Sequence, residues 1–200
     1  MLELRPVADP KALSAASGAA LWWLGQAGFL VAQDGLRIVI DADLFDSLAE
    51  KYRGKVFAHH RMMPPPVLPG VLSGVDWRLC AHFHTNHMDP GTIPALLAAN
   101  PKARVLAPRA ERAKALERGV PGARLHLIDA GEVLDLGGLT VTATPSAHED
   151  VKVTPSGHLY LGYALTGCGV TLWRSGDTIP HDGLVPAVRA GVEYRLRPRT

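Results

Sequence analysis

Four of the short apolar runs in this chain stop abruptly at residues that bind metals or move protons, and this limits the architectures open to it. Residues 36–40 lead into Asp41 and Asp43, and residues 77–81 into His82-Phe83-His84-Thr85-Asn86-His87. Residues 139–144 precede His148-Glu149, and residues 170–173 precede Ser175-Gly176-Asp177-Thr178. Runs of this length bounded by Gly, Pro and Asp are strand signals. A scaffold of strands with polar ends gathers chemistry in the loops along one sheet edge.

The remaining pattern agrees with an α/β domain. Residues 21–24 and 29–32 are apolar on either side of Gly25-Gln26-Ala27-Gly28, and Asp34-Gly35 is a hairpin turn. One helical turn is expected near residues 47–52, inside a long irregular stretch over 45–75. Asp89 is placed to cap a helix, with Pro90 at its first position and the helix running to Ala99. A short strand at 104–107 and a helix at 109–118 follow, then strands at 124–128, 133–136, 139–144, 158–165 and 170–173 and a helix at 182–190. Only one of Trp22 and Trp23 faces inward if they lie on a strand.

Size and charge exclude several classes. A chain of 200 residues with 47% apolar content buries a real core and reads as one domain over 1–200. A net charge of +2 leaves no nucleic-acid footprint. No stretch is long and apolar enough to span a bilayer, and the charged first ten residues do not resemble a secretory signal. A cytoplasmic protein without membrane partners is expected, and Cys80 and Cys168, far apart in apolar runs, read as reduced thiols.

Three imidazoles within six residues form half of a metal site. His82 and His84, two apart on extended chain, point to the same side. His148, Asp177 and Asp41 supply further candidates, and an open position would admit water. Asn86 is the one other residue inside the triplet able to ligate, and its neutral amide is a weaker ligand than a carboxylate.

These residues resemble the metallo-β-lactamase superfamily, whose signature is a His-x-His-x-Asp-His run at a strand end followed by an isolated histidine and an aspartate. The closer similarity is to the L-ascorbate-6-phosphate lactonase-like branch. It is carried by Trp23-Leu24-Gly25-Gln26-Ala27-Gly28-Phe29, residues 46–55, His60-Arg61-Met62-Met63-Pro64-Pro65-Pro66, Asp89-Pro90-Gly91-Thr92 and Ser175-Gly176-Asp177-Thr178. The resemblance implies a four-layer αββα sandwich. It also implies that His82, His84 and His148 hold a first divalent ion, zinc or manganese, and that Asp177 bridges to a second ion on His87. Catalysis would then involve Asp177, His148 and position 86, with a metal-bound hydroxide attacking a lactone or ester of a small sugar, phosphorylated or not. Asp41 is expected behind the ligands, and Lys51, Arg53, His60 and Arg61 are candidates for binding the substrate.

Two departures from the family pattern qualify this. Asn86 stands where the family has aspartate, and after about residue 193 the charged stretch 195–199 replaces the strands and helices that supply the final histidine. The C-terminal part is therefore expected to be incomplete, as in a truncated or frame-shifted product. The alternatives to a lactonase are a weakly active or inactive member holding one ion, and an interaction module that pairs through an exposed edge, with a homo-oligomer among the outcomes.

Overall fold

The computed structural model describes residues 19–33, 35–167 and 169–193. Strands β1 (Ala19–Gly25), β2 (Gly28–Gln33), β3 (Leu36–Ile40), β4 (Trp77–Leu79), β5 (Arg104–Pro108) and β6 (Leu125–Ile128) form a six-stranded sheet in sequence order. The first three are antiparallel and the last four run parallel. A second sheet has the order β12 (Val170–Arg174), β11 (Leu161–Gly167), β8 (Thr140–Pro145), β7 (Val133–Asp135), and β9 (Val153–Thr154) and β10 (Gly157–His158) form a separate small hairpin.

Strand periodicity builds the layers. Ile38 and Ile40 on β3, Trp77 and Leu79 on β4 and Leu106 on β5 point inward, against Val141, Ala143, Leu161, Tyr163 and Leu165 of the second sheet. The intervening residues point the other way. Val39 joins Leu24, Leu30, Leu44, Val67, Leu72 and Leu96 beneath the long loop, while Cys80, Val105 and Ala107 pack on Ile93, Leu97 and Ala115. Those last residues come from helices α2 (Thr92–Ala99) and α3 (Arg112–Glu117), which follow the short helix α1 (Ser47–Lys51). On the far side, α4 (Leu184–Glu193) lies against β8 and β11. Helices, two sheets and a helix give the four layers.

Several sequence expectations are refined. The segment read as one helix over 109–118 begins as a 3-10 turn at Arg109–Glu111 and becomes α3 only at Arg112. The single strand read over 158–165 is broken, because backbone pairing changes partner between β10 and β11. The Leu159 N–H donates to the Lys152 carbonyl, and the Tyr160 carbonyl accepts from the Ser146 N–H. Trp22 packs on the outer core while Trp23 is exposed. Cys80 is buried and reduced, and Cys168, Asp34 and the C-terminal stretch 194–200 lie outside the described residues. Among the described residues, no helix is long and apolar enough to cross a membrane.

Strand direction explains where chemistry collects. Strands β8 and β12 both pair antiparallel with β11, so they point the same way and end at the same edge. There Leu161, at the start of β11, donates its N–H to the Ala81 carbonyl at 3.0 Å, and the Tyr163 hydroxyl donates to the Cys80 carbonyl at 2.8 Å. The ends of β3, β4, β8 and β12 thereby converge.

Candidate metal centre

Each loop at this edge is tied down before it offers a ligand. The turn after β4 is closed by the His87 and Met88 N–H groups donating to the His84 carbonyl at 2.9 and 2.8 Å. Arg78, wholly buried on β4, donates through Nη2 to the His87 carbonyl at 2.8 Å. The His148 and Asp177 loops are stitched to each other: the Ser146 hydroxyl donates to the Ser175 carbonyl at 2.6 Å, and the Ala147 N–H donates to Thr178 Oγ1 at 2.9 Å.

Two overlapping donor groups result, His82-His84-His148 and His82-His87-Asp177, the donor atoms of each lying within 4.8 Å of one another. His82 Nε2 and His84 Nδ1 are 3.0 Å apart. Asp177 Oδ2 stands 3.0 Å from His87 Nε2, 3.9 Å from His82 Nε2 and 4.0 Å from His148 Nε2, and so lies between the two groups. Ligand atoms about 2.0–2.1 Å from a tetrahedral ion are roughly 3.3 Å from each other. His82, His84 and His148 form one compact imidazole triad for a divalent ion, and Asp177 offers a carboxylate 3.9 and 4.0 Å from two of its members. Tyr160 packs its ring 5.2–5.3 Å from those of His148 and His82, forming an aromatic wall.

The second position is less well supplied. It has His87 and a share of Asp177, and Asn86 is half-buried in the turn between His84 and His87. Behind His87 stands Asp41, fully buried and in the left-handed region at φ 45°. Its Oδ1 accepts the Ala81 N–H at 2.7 Å, and its Oδ2 lies 3.1 Å from His87 Nδ1 and 3.4 Å from Arg174 Nη2. Backbone strain at a site held by buried contacts is typical of positions under functional constraint.

The electrostatics follow from these contacts. Burial, then the His87 charge, pulls the His82 imidazole down, and burial with His148 lowers His84, so both are neutral and able to ligate. Burial also acts against charge on His87, but Asp41 and Asp177 outweigh it and push its imidazole up to about 9. Burial opposes charge on Asp177 too, yet the hydrogen bond and charge of His87 hold that carboxyl well below the usual range. Asp41 is kept ionised against burial by His87 and Arg174.

Among the candidate substrate residues, Lys51 is the one whose charge acts on the centre, adding to the lowering of His84 after burial, His148 and His87. Arg53 pairs with Glu50 at the surface, and exposed His60 stands 3.6 Å from Asp46 Oδ2. Arg61 faces away from solvent. Its guanidinium pairs with Asp43 at 2.8 Å, both side chains being 6% exposed, and also donates to the Asp43, Leu24 and Met63 carbonyls. It therefore clamps the long loop to the ends of β1 and β3 rather than presenting a free cation. Burial pushes the Asp43 carboxyl up to about 6 even with Arg61 beside it.

Tyr160, Arg78 and Arg174 were not among the sequence candidates. A cation directly before Ser175-Gly176-Asp177, at the end of an otherwise uncharged strand, was the available signal for Arg174. Gly176 is constrained as well: at φ +65°, a Cβ there would lie 2.6 Å from the Leu161 carbonyl. Gly176→Ala is expected to displace Asp177 and weaken divalent-ion binding by about 10-fold or more, read by calorimetric titration with Zn2+ and Mn2+. Unchanged affinity would show that Asp177 does not depend on this turn.

Residues 36–195 match the model of the Beta-lactamase superfamily domain. The chain belongs to that family. Uncharacterized proteins of Mycobacterium tuberculosis and Mycobacterium bovis are each 29% identical to it over 175 residues, covering 86% of this chain and 46% of their own length. The beta-lactamase superfamily chain thus spans about half the length of the curated relatives it matches. Among solved structures, a possible metal-dependent hydrolase of Veillonella parvula is 18% identical with a TM-score of 0.64, covering 90% of this chain and 69% of that one. The isothiocyanate hydrolase from Delia radicum gut bacteria is 20% identical with a TM-score of 0.62, covering 84% and 66%. A diiron beta-hydroxylase of Streptomyces venezuelae, 17% identical with a TM-score of 0.62, covers 88% of this chain and 33% of that one. At these identities the likeness is one of fold.

Proposed function

We propose that this chain is a cytoplasmic metal-dependent hydrolase of the lactonase type, acting on a lactone or ester of a small sugar, phosphorylated or not, with one divalent ion, zinc or manganese. The observation that carries this reading is the position of Asp177 Oδ2, 3.0–4.0 Å from three imidazoles on two different loops. His82, His84, His148 and Asp177 would hold the ion. When bound, the ion lowers the pKa of a water and polarises the carbonyl under attack.

The chain's own residues do the rest. Asp41 orients the His87 ring, and His87 in turn fixes the Asp177 carboxylate by the 3.0 Å hydrogen bond. Tyr160 shields one side of the imidazole cluster. Lys51, whose charge acts on His84, supports an anionic substituent on the substrate. Arg53 and His60, which face Glu50 and Asp46, would have to leave those carboxylates to join it. Asn86 favours a single ion, because it removes a negative charge from the second position.

The test is turnover of a panel of sugar lactones, with and without phosphate, and of a model ester by the purified chain loaded with Zn2+ or Mn2+. Hydrolysis that stops on chelation and returns with the ion is expected. A folded, metal-loaded chain that turns over none of them would overturn the lactonase reading.

A further inference from the structure

We infer that Arg174 supplies a fixed positive charge behind the second position and thereby holds this centre to one divalent ion. The inference rests on the proposed ion at His82, His84, His148 and Asp177 and adds the residue that sets the number of ions. Arg174 ends β12 with only 15% of its side chain exposed. Its Nη2 is 3.4 Å from Asp41 Oδ2, the same oxygen that faces His87 Nδ1 at 3.1 Å, and its Nη1 donates to the Gly176 carbonyl at 2.8 Å, next to Asp177. The guanidinium therefore joins the carboxylate behind the second position to the loop that carries the shared ligand. An arginine keeps its charge at every accessible pH, so this cation is permanent.

Fixed charge decides the number of ions. Ligation of two ions requires every imidazole to be deprotonated, His87 included. In that state Asp41 and Asp177 contribute two negative charges and Arg174 one positive charge, leaving one net negative charge for the incoming ions. Asp43 does not alter this balance, because Arg61 neutralises it. Arg78, which donates to the His87 carbonyl, shifts the balance further toward positive. One divalent ion is tolerated against this field. A second would enter a buried region already carrying excess positive charge, with a neutral amide at position 86 where a carboxylate could have met it.

The experiment counts ions per chain by native mass spectrometry and calorimetric titration with Zn2+ and Mn2+, on the wild type, Asn86→Asp, Asn86→Asp/Arg174→Gln and Asn86→Asp/Arg174→Lys. One ion is expected for the wild type. Asn86→Asp/Arg174→Gln is expected to take two, with the second bound about 30-fold or more tighter than in Asn86→Asp alone, while the lysine variant, which keeps the charge, stays with Asn86→Asp. Equal second-ion affinity in the glutamine and lysine variants would overturn the inference, as would two ions of similar affinity in the wild type. If Arg174→Gln does not fold, Asp41→Asn/Arg174→Gln removes both charges together and is expected to remain at one ion, and two ions there would overturn the charge balance. A folded wild type that binds no ion would instead overturn the metal-centre reading beneath it.

Discussion

His84→Ala is expected to lower affinity for the divalent ion by about 100-fold or more while leaving the fold intact. Changing a residue that only supports a ligand costs roughly 10–100-fold in metal affinity, so removal of a ligand itself falls at or beyond that range. His84 suits the experiment because it is half-buried and its ring neighbours are other site residues, with Phe83 packed beside it. His82 is buried in the cluster, where truncation would also open a cavity. Calorimetric titration reads the affinity, and circular dichroism checks the fold. His126, whose ring packs on Trp77 at 4.9 Å, is the control: His126→Ala should leave ion binding unchanged. Equal affinity in wild type and His84→Ala would remove His84 from the ligand set.

Arg61→Ala is expected to cost about 3–5 kcal/mol of folding stability, the range for removing one partner of a buried ion pair. The loss leaves Asp43 without its cation in a place where burial already pushes its carboxyl up to about 6, and leaves the Asp43, Leu24 and Met63 carbonyls without that donor. Arg61→Met combined with Asp43→Leu should recover much of the loss, since no buried charge then stands alone. Urea unfolding monitored by tryptophan fluorescence measures both. A loss below about 1 kcal/mol for Arg61→Ala would return Arg61 to the candidate substrate-binding residues, because a surface pair is worth no more than that.

Arg61 also shows where sequence reading stops. Its motif, His60-Arg61-Met62-Met63, is visible in the chain, but its partner Asp43 lies 18 positions earlier, and only the folded loop brings the two within 2.8 Å. Local signals were more legible. Asp89-Pro90-Gly91-Thr92 reads as a helix start, and the Asp89 carboxylate does accept the Thr92 N–H at 2.8 Å while the Asp89 carbonyl accepts the Ile93 N–H at 3.1 Å. Regular helix nevertheless begins only at Thr92, whose hydroxyl also accepts the Leu44 N–H at 2.7 Å and so pins the loop after β3 to the helix.

The candidate centre divides in the same way. The imidazoles of His82 and His84 are legible because strand geometry alone sends both to one side. That Asp177 lies between His87 and His148 depends on two sheets meeting at Ala81 and Leu161, a contact with no local sequence signal. Arg174 and Tyr160 depend on the same junction. Residues whose roles arise from packing between layers were the ones missed.

The most direct test of a metal centre at this edge is the ion content of the wild-type chain, stripped with chelator and then titrated with Zn2+ or Mn2+ under native mass spectrometry. A single tightly held ion per chain, lost in His84→Ala and retained in His126→Ala, is the expected result. A folded wild-type chain that takes up no ion, or holds one equally well without His84, would contradict it.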